Sequence, residues 1–248
     1  MTFRKYTFII TTLAVIATII ALFLIKKQYP ITIIEIPKYY HPVSEIPFQD
    51  SKFIIPDSLL LSAPFTPQAP TGNWDILHNE NCEEASSLMA MAYYITNYRN
   101  VQKLDPIFVE SELTKLTDWE LKTFGYNLDI TSEETAKMIE ANYGLNTKIL
   151  YNYSENDIKK ELTENRLILF PANGQMLNNP NYKQPGPIYH MVLIRGFNET
   201  EFITNDPGTR KGMNYNYPFT ALYKSNGNWS HKNNKVDLTQ KNIIVVWK

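Results

Sequence analysis

Read for hydrophobic and polar alternation alone, the chain falls into three unlike stretches. Thr7–Ile25 is an unbroken uncharged run, with Arg4 and Lys5 before it and Lys26 and Lys27 after. About 20 apolar residues suffice for a helix to cross a bilayer, and apolar side chains around the whole circumference do not suit a soluble helix. The run exceeds a signal-peptide core and lacks a small-x-small cleavage site before Lys26. It therefore predicts an uncleaved membrane anchor over residues 1–27. The basic flanks nearly balance, but a short tail followed by a large body argues for export of that body, giving a single-pass membrane protein with an extracytoplasmic domain. From 28 to 62, Pro30, Pro37, Pro42, Pro47 and Pro56 recur too often for long helices. This segment reads as an extended stalk, with one short strand at Ile31–Ile36.

Residues 63–248 form the expected globular domain. Ala85, Leu88, Met89, Ala92 and Tyr93 fall at spacings of three and four, predicting a helix that opens near Cys82. Asn79 or Asn81 can cap it, and Glu83 and Glu84 sit in its first turn, where the helix dipole favours acids. Helices are also expected at Val109–Thr117, Ser132–Asn142 (capped by Ser132) and Glu155–Glu164. Short apolar or alternating runs at Leu167–Phe170, Tyr189–Arg195, Glu201–Thr204 and Ile243–Trp247 predict strands. Helices first and strands later indicate an α+β fold.

Composition narrows the chemistry. The net charge is −1, so no global field recruits nucleic acid, and no nucleic-acid partner is expected. One cysteine excludes an intramolecular disulfide, and with four scattered histidines it gives no metal-ligand spacing. No metal or cofactor is expected.

Cys82 at a helix start is placed to act as a thiolate, although Glu83 and Glu84 oppose its ionisation, and a small buried packing residue is the alternative. His190 alone among the histidines opens a well-formed strand. That strand and Glu201–Asp206 read as a hairpin around Asn198–Thr200. His190 and Asp206 share a face only if a three-residue loop, or a bulge near Gly196, sets the phase. Asn205-Asp206-Pro207-Gly208 is also a turn signal in its own right.

Three segments together resemble a known family. They are A-P-F-T-P-Q-A-P-T-G-N-W at Ala63–Trp74, N-C-E-E-A-S-S-L-M-A at Asn81–Ala90, and H-M-V-L-I-R-G-F with F-I-T-N-D-P-G-T between His190 and Thr209. In this order they resemble the papain-like cysteine peptidases related to the bacteriocin-processing, double-glycine-cleaving family, in their stand-alone bacterial form. The likeness runs from about Leu61 to Lys248. It implies a papain-like fold, with an N-terminal helical part on an antiparallel sheet, and hydrolysis of a peptide or protein substrate through a thioester. It also implies Cys82 as nucleophile, His190 as base, Asp206 as the group orienting the imidazole and Gln68 as oxyanion donor. Asn81 stands where the family commonly has glycine, and the stretch from Gln68 to Cys82 is longer than in papain, so His78 or the Cys82 N–H could supply the donor instead. No Gly-x-x-x-x-Gly-Lys-Ser/Thr loop is present, so leader processing by a fused export ATPase does not follow. A silent papain-like binding module, and a cell-wall amidase or transpeptidase using the same triad, are the competing functions.

Overall fold

The computed structural model describes residues 54–95, 98 and 101–248. The apolar run at 7–25, the strand expected at Ile31–Ile36 and most of the proline-rich segment lie outside these residues. Among the described residues no helix is long and apolar enough to cross a membrane.

The first elements are strand β1 (Leu59–Leu60) and helices α1 (Ile76–Glu80), α2 (Cys82–Tyr94), α3 (Pro106–Phe124) and α4 (Ser132–Tyr143). Strand β2 (Asn146–Tyr151), helix α5 (Glu155–Thr163), strand β3 (Leu167–Ala172) and helix α6 (Gly174–Leu177) follow. The remainder comprises β4 (His190–Phe197), β5 (Glu201–Asn205), β6 (Met213–Pro218), helix α7 (Phe219–Ser225), β7 (Asn228–Ser230), β8 (Lys235–Asp237) and β9 (Asn242–Trp247). The fold is α+β. One seven-stranded sheet runs β2-β9-β3-β4-β5-β6 with β1 added to β4, and β7 and β8 form a separate hairpin. Every pairing of named strands is antiparallel.

The sheet is organised around β4, whose residues are buried throughout, so it reads as a continuous apolar run rather than an alternating one. Helices α2 and α5 both pack against it. Along α2, every residue but Tyr93 is buried, a far fuller enclosure than one apolar stripe predicts. The Ser86 hydroxyl, on the face shared with Cys82 one turn earlier, donates to the Met191 carbonyl at 3.1 Å and ties this helix to the start of β4.

Several boundaries differ from those expected. Helix α3 is 19 residues long because Asp105 accepts from the Ile107 and Phe108 amides, Pro106 occupies the first turn, and Gly125 closes it in the left-handed region at φ 88°. Helix α4 is capped by Thr131, not Ser132, through a reciprocal pair with Glu134. Neither Asn79 nor Asn81 caps α2: Asn79 belongs to α1, and the Asn81 side chain makes no capping bond. Strands β2 and β6 have too many polar residues to be read as strands, and form because neighbouring strands offer edges. The last residues of the expected stalk also reach into the sheet, since Leu59 and Leu60 pair with Phe197 and Gly196.

That last pairing requires Gly196. A Cβ there would lie 2.3 Å from the Leu59 carbonyl oxygen and 3.1 Å from the Leu60 Cα, both backbone atoms. Gly196→Ala is therefore expected to destabilise the domain by about 1–3 kcal/mol in urea denaturation by displacing β1, as overpacking typically does. An unchanged midpoint would show that β1 is not held there.

Candidate active site

His190 opens β4 and Asp206 follows directly after β5. At the turn end the hairpin pairs Phe197 with Phe202 and Gly196 with Ile203, and beyond a bulge at Arg195 it pairs Ile194 with Thr204 and Leu193 with Asn205. The turn itself spans four residues, with the Asn198 side chain accepting from the Thr200 and Glu201 amides. The bulge shifts the phase by one residue, so His190 and Asp206 fall on one face of the hairpin. Their side chains meet, with His190 Nε2 and Asp206 Oδ1 2.8 Å apart and both residues buried.

Asp206 is fully satisfied. Its Oδ1 also accepts from the Gly208 amide at 3.0 Å. Its Oδ2 accepts from Asn179 Nδ2 at 3.0 Å, the Tyr182 hydroxyl at 2.6 Å and the Tyr217 hydroxyl at 2.7 Å. Burial alone would raise the carboxyl's pKa, but the charge and hydrogen bond of His190 and the two tyrosine hydroxyls hold it below the usual range. Gly208 lies flat against the imidazole: a Cβ there would come within 2.8 Å of His190 Cε1. With Nε2 committed to Asp206, Nδ1 is the ring nitrogen left to exchange a proton, and no hydrogen bond to a described residue occupies it.

Cys82 sits at the N-terminus of α2, but its thiol is turned elsewhere. Sγ donates to Glu83 Oε2 at 2.9 Å, while Glu83 Oε1 accepts from the Ile130 amide at 2.9 Å. No hydrogen bond joins Cys82 to His190 among the described residues. Burial, then the charge and hydrogen bond of Glu83, then Asp129 and Glu84, push the thiol well above its ordinary pKa. The thiol is protonated in this arrangement, so the dipole at the helix start is outweighed by desolvation and neighbouring carboxyls.

Those carboxyls belong to a buried acidic group around the start of α2, in which Glu84 lies near Glu120 and Asp129 near Glu80, so ionisation of one member opposes that of its neighbour. Burial pushes Glu120 and Asp129 up to about 8, and Glu83 and Glu84 well above the usual carboxylate range.

Gln68 shares a cleft of about 1070 Å³ with His190, Trp74, Tyr182 and Gly208. Its backbone amide donates to the Pro207 carbonyl at 2.9 Å, fastening this loop beside Asp206. The side-chain Nε2 donates to the His78 and Asn79 carbonyls at 2.9 and 2.8 Å, so both amide hydrogens are engaged and the buried Oε1 has no partner. His78 is held between Asp75 and Glu110, with 2.8 Å on each ring nitrogen, and serves to clamp α1. The structure thus brings His190 and Gln68 to one cleft, buries Asp206 against His190, and directs the Cys82 thiol towards Glu83.

Residues 60–235 match the family model described as the Peptidase_C39 like family. The chain belongs to that family. A crystal structure of a protein assigned as a C39-like peptidase from Bacillus anthracis shares the fold, with a TM-score of 0.50 and 15% sequence identity over 78% of this chain and 98% of that one. No curated protein matches the sequence. C39-like membership brings with it a papain-like cysteine peptidase fold. Three residues around the C39-like site escaped sequence reasoning: Asn179, Tyr182 and Tyr217 cage Asp206 from two separate segments, and nothing in their local sequence announces this.

The acidic group makes stability depend on pH. Glu120 is raised to about 8 in the folded protein, so folding favours its protonated form. Its stabilising contribution is complete below the unfolded carboxylate range near 4.3 and is lost as pH rises through about 8. Asp206, shifted down, contributes above that range and stays constant over the same interval. Tm should therefore be higher at about pH 5.5 than at about pH 8.5, by up to a few kcal/mol in stability. Glu120→Gln, neutral and similar in shape, should flatten this slope in scanning calorimetry. A wild-type Tm rising from pH 5.5 to 8.5 would contradict the assignment.

Proposed function

We propose that the protein is a membrane-anchored cysteine peptidase, held by residues 7–25 with its domain on the extracytoplasmic side, which cleaves peptide bonds through Cys82, His190 and Asp206. The observation that carries this reading is the buried His190–Asp206 pair at a cleft, with Nε2 fixed and Nδ1 facing no competing partner. A carboxylate that holds one ring nitrogen sets the tautomer and orientation of the other and stabilises the imidazolium once formed.

In this mechanism the Cys82 side chain rotates about Cα–Cβ, leaves Glu83 and passes its proton to His190 Nδ1. A change between staggered rotamers is accessible to a side chain this small. The thiolate attacks the substrate carbonyl, forming the C–S bond, and negative charge collects on the carbonyl oxygen. In this mechanism the free amide N–H groups at the start of α2 receive that charge, and Gln68 joins them once it releases a backbone carbonyl. The tetrahedral adduct collapses as Nδ1 returns the proton to the leaving amine, giving a thioester. Water, deprotonated by the same nitrogen, then hydrolyses the thioester and restores the thiol.

A second reading draws on the thiol's bond to Glu83: a silent C39-like module that binds peptides without cleaving them. Hydrolysis of a peptide library by the full-length protein, read by mass spectrometry, separates the two. On the peptidase reading, Cys82→Ala and His190→Ala abolish cleavage, and Asp206→Asn lowers kcat by roughly 10²–10⁴. Gln68→Ala should lower it by about 10²–10³ if the amide reaches the oxyanion. Turnover that survives Cys82→Ala, or none in the wild type, would overturn the peptidase reading. Membrane fractionation of the full chain, with external protease reaching the domain in intact cells, tests the anchor. Protection of the domain until lysis would reverse its orientation.

A further inference from the structure

Two loops build the wall of the cleft next to His190: residues 178–189, which lead into β4, and 206–212, which join β5 to β6. The second is tightly closed. Asp206 N donates to the Gly212 carbonyl at 2.9 Å, Gly212 N to the Thr209 carbonyl at 3.2 Å, and a Cβ on Gly212 would lie 1.8 Å from the Asp206 carbonyl oxygen. The loop that orients the imidazole through Asp206 and Gly208 therefore also fixes what stands at its tip, Arg210 and Lys211.

Both residues line the cleft, as does Lys183 from the other loop, and all three are exposed. None has an ion-pair partner among the described residues. The Arg210 guanidinium extends across towards the opposite wall, 3.6 Å from where a Cβ on Gly72 would lie. None of the nearby acids pairs with this wall. Glu80, the acidic residue lining the cleft, makes no ion pair with these cations, and Asp75 and Glu110 are engaged by His78. The whole chain is close to neutral, at −1, so three cations without ion-pair partners lining one cleft are a local feature. Like charges held together repel, and a ligand of opposite charge relieves that repulsion.

The chemistry fixes which half of a substrate meets them. The imidazole must hand its proton to the leaving amine, so the chain beyond the scissile bond runs past the loops that hold His190. We propose that this half of the cleft selects peptides carrying a carboxylate within the first few residues beyond the scissile bond, recognised by Lys183, Arg210 and Lys211. The carboxylate is an Asp or Glu side chain or the peptide's own C-terminus. The assignment rests on the peptidase reading for its direction along the substrate, but the binding preference is measurable without turnover.

The test uses full-length Cys82→Ala protein and degenerate dodecapeptide libraries labelled at the N-terminus, with binding read by fluorescence anisotropy. One amidated library carries Asp and Glu in its second half, a second carries Asn and Gln there, and a third is the neutral library with a free C-terminal carboxylate. Exposed ion pairs are individually weak, so three together should favour the acidic library by roughly fivefold to tenfold. The third library reports whether a terminal carboxylate suffices. The preference should shrink as salt rises from about 0.05 to 0.5 M, and should vanish in Lys183→Gln/Arg210→Gln/Lys211→Gln. Equal binding of acidic and neutral libraries, a preference undiminished in the triple variant, or binding of polyphosphate alone would overturn the proposal. An intact acidic preference with no cleavage of any library by the wild type would leave this subsite standing and remove the peptidase reading instead.

Discussion

Everything at this site depends on a single buried contact, the 2.8 Å pairing of His190 with Asp206. Two such groups leave water only when their remaining polar atoms are satisfied, and five donors converge on the Asp206 carboxylate to do so. The requirement reaches far into the fold. It draws Tyr217 from β6 and Asn179 and Tyr182 from the loop before β4. It also demands the Arg195 bulge that brings both residues to one face, and glycine at 208 and 212. Removing Asp206 would leave His190 and the four other donors buried without their shared acceptor, and breaking a buried charged pair typically costs about 3–5 kcal/mol.

How much of this was legible in the sequence follows from the range of the interactions involved. Helices with an apolar stripe and strands with apolar runs can be read because their signals are local, whereas the caps of α2 and α4 and the turn of the Cys82 thiol towards Glu83 cannot, since they depend on side-chain geometry. The hairpin phase could be reduced to two alternatives by counting, and the structure selects the bulge. The tyrosine cage could not be read, since it depends on residues over 10 to 30 positions apart meeting in space. Helix α3 exceeds its apolar stripe, and Asp105, Pro106 and Gly125 mark its true ends. Strands β2 and β6 were missed because their pairing partners, rather than their own composition, define them.

The same structure sets two electrostatic demands in opposition. A nucleophilic thiol benefits from positive surroundings, whereas Cys82 borders Glu83, Glu84 and Asp129, all kept largely protonated by burial. Neutral carboxyls repel a thiolate far less than ionised ones, so burial of the acids moderates the conflict that their sequence position suggests. Glu83 then has two roles: it receives the thiol and it anchors the Ile130 amide, coupling α2 to the segment before α4.

Because Cys82 is the sole cysteine, covalent capture reports on it without ambiguity. On the proposed mechanism, His190, held by Asp206, draws the Cys82 thiol out of its contact with Glu83 and into reaction. The most direct measurement is intact-protein mass spectrometry after exposure to a peptidyl epoxide, comparing wild type with His190→Ala and Asp206→Asn. One adduct on Cys82 is expected in the wild type, with slower labelling in Asp206→Asn and none in His190→Ala. Labelling of Cys82 at the same rate in all three proteins, or its absence from the wild type, would contradict that mechanism.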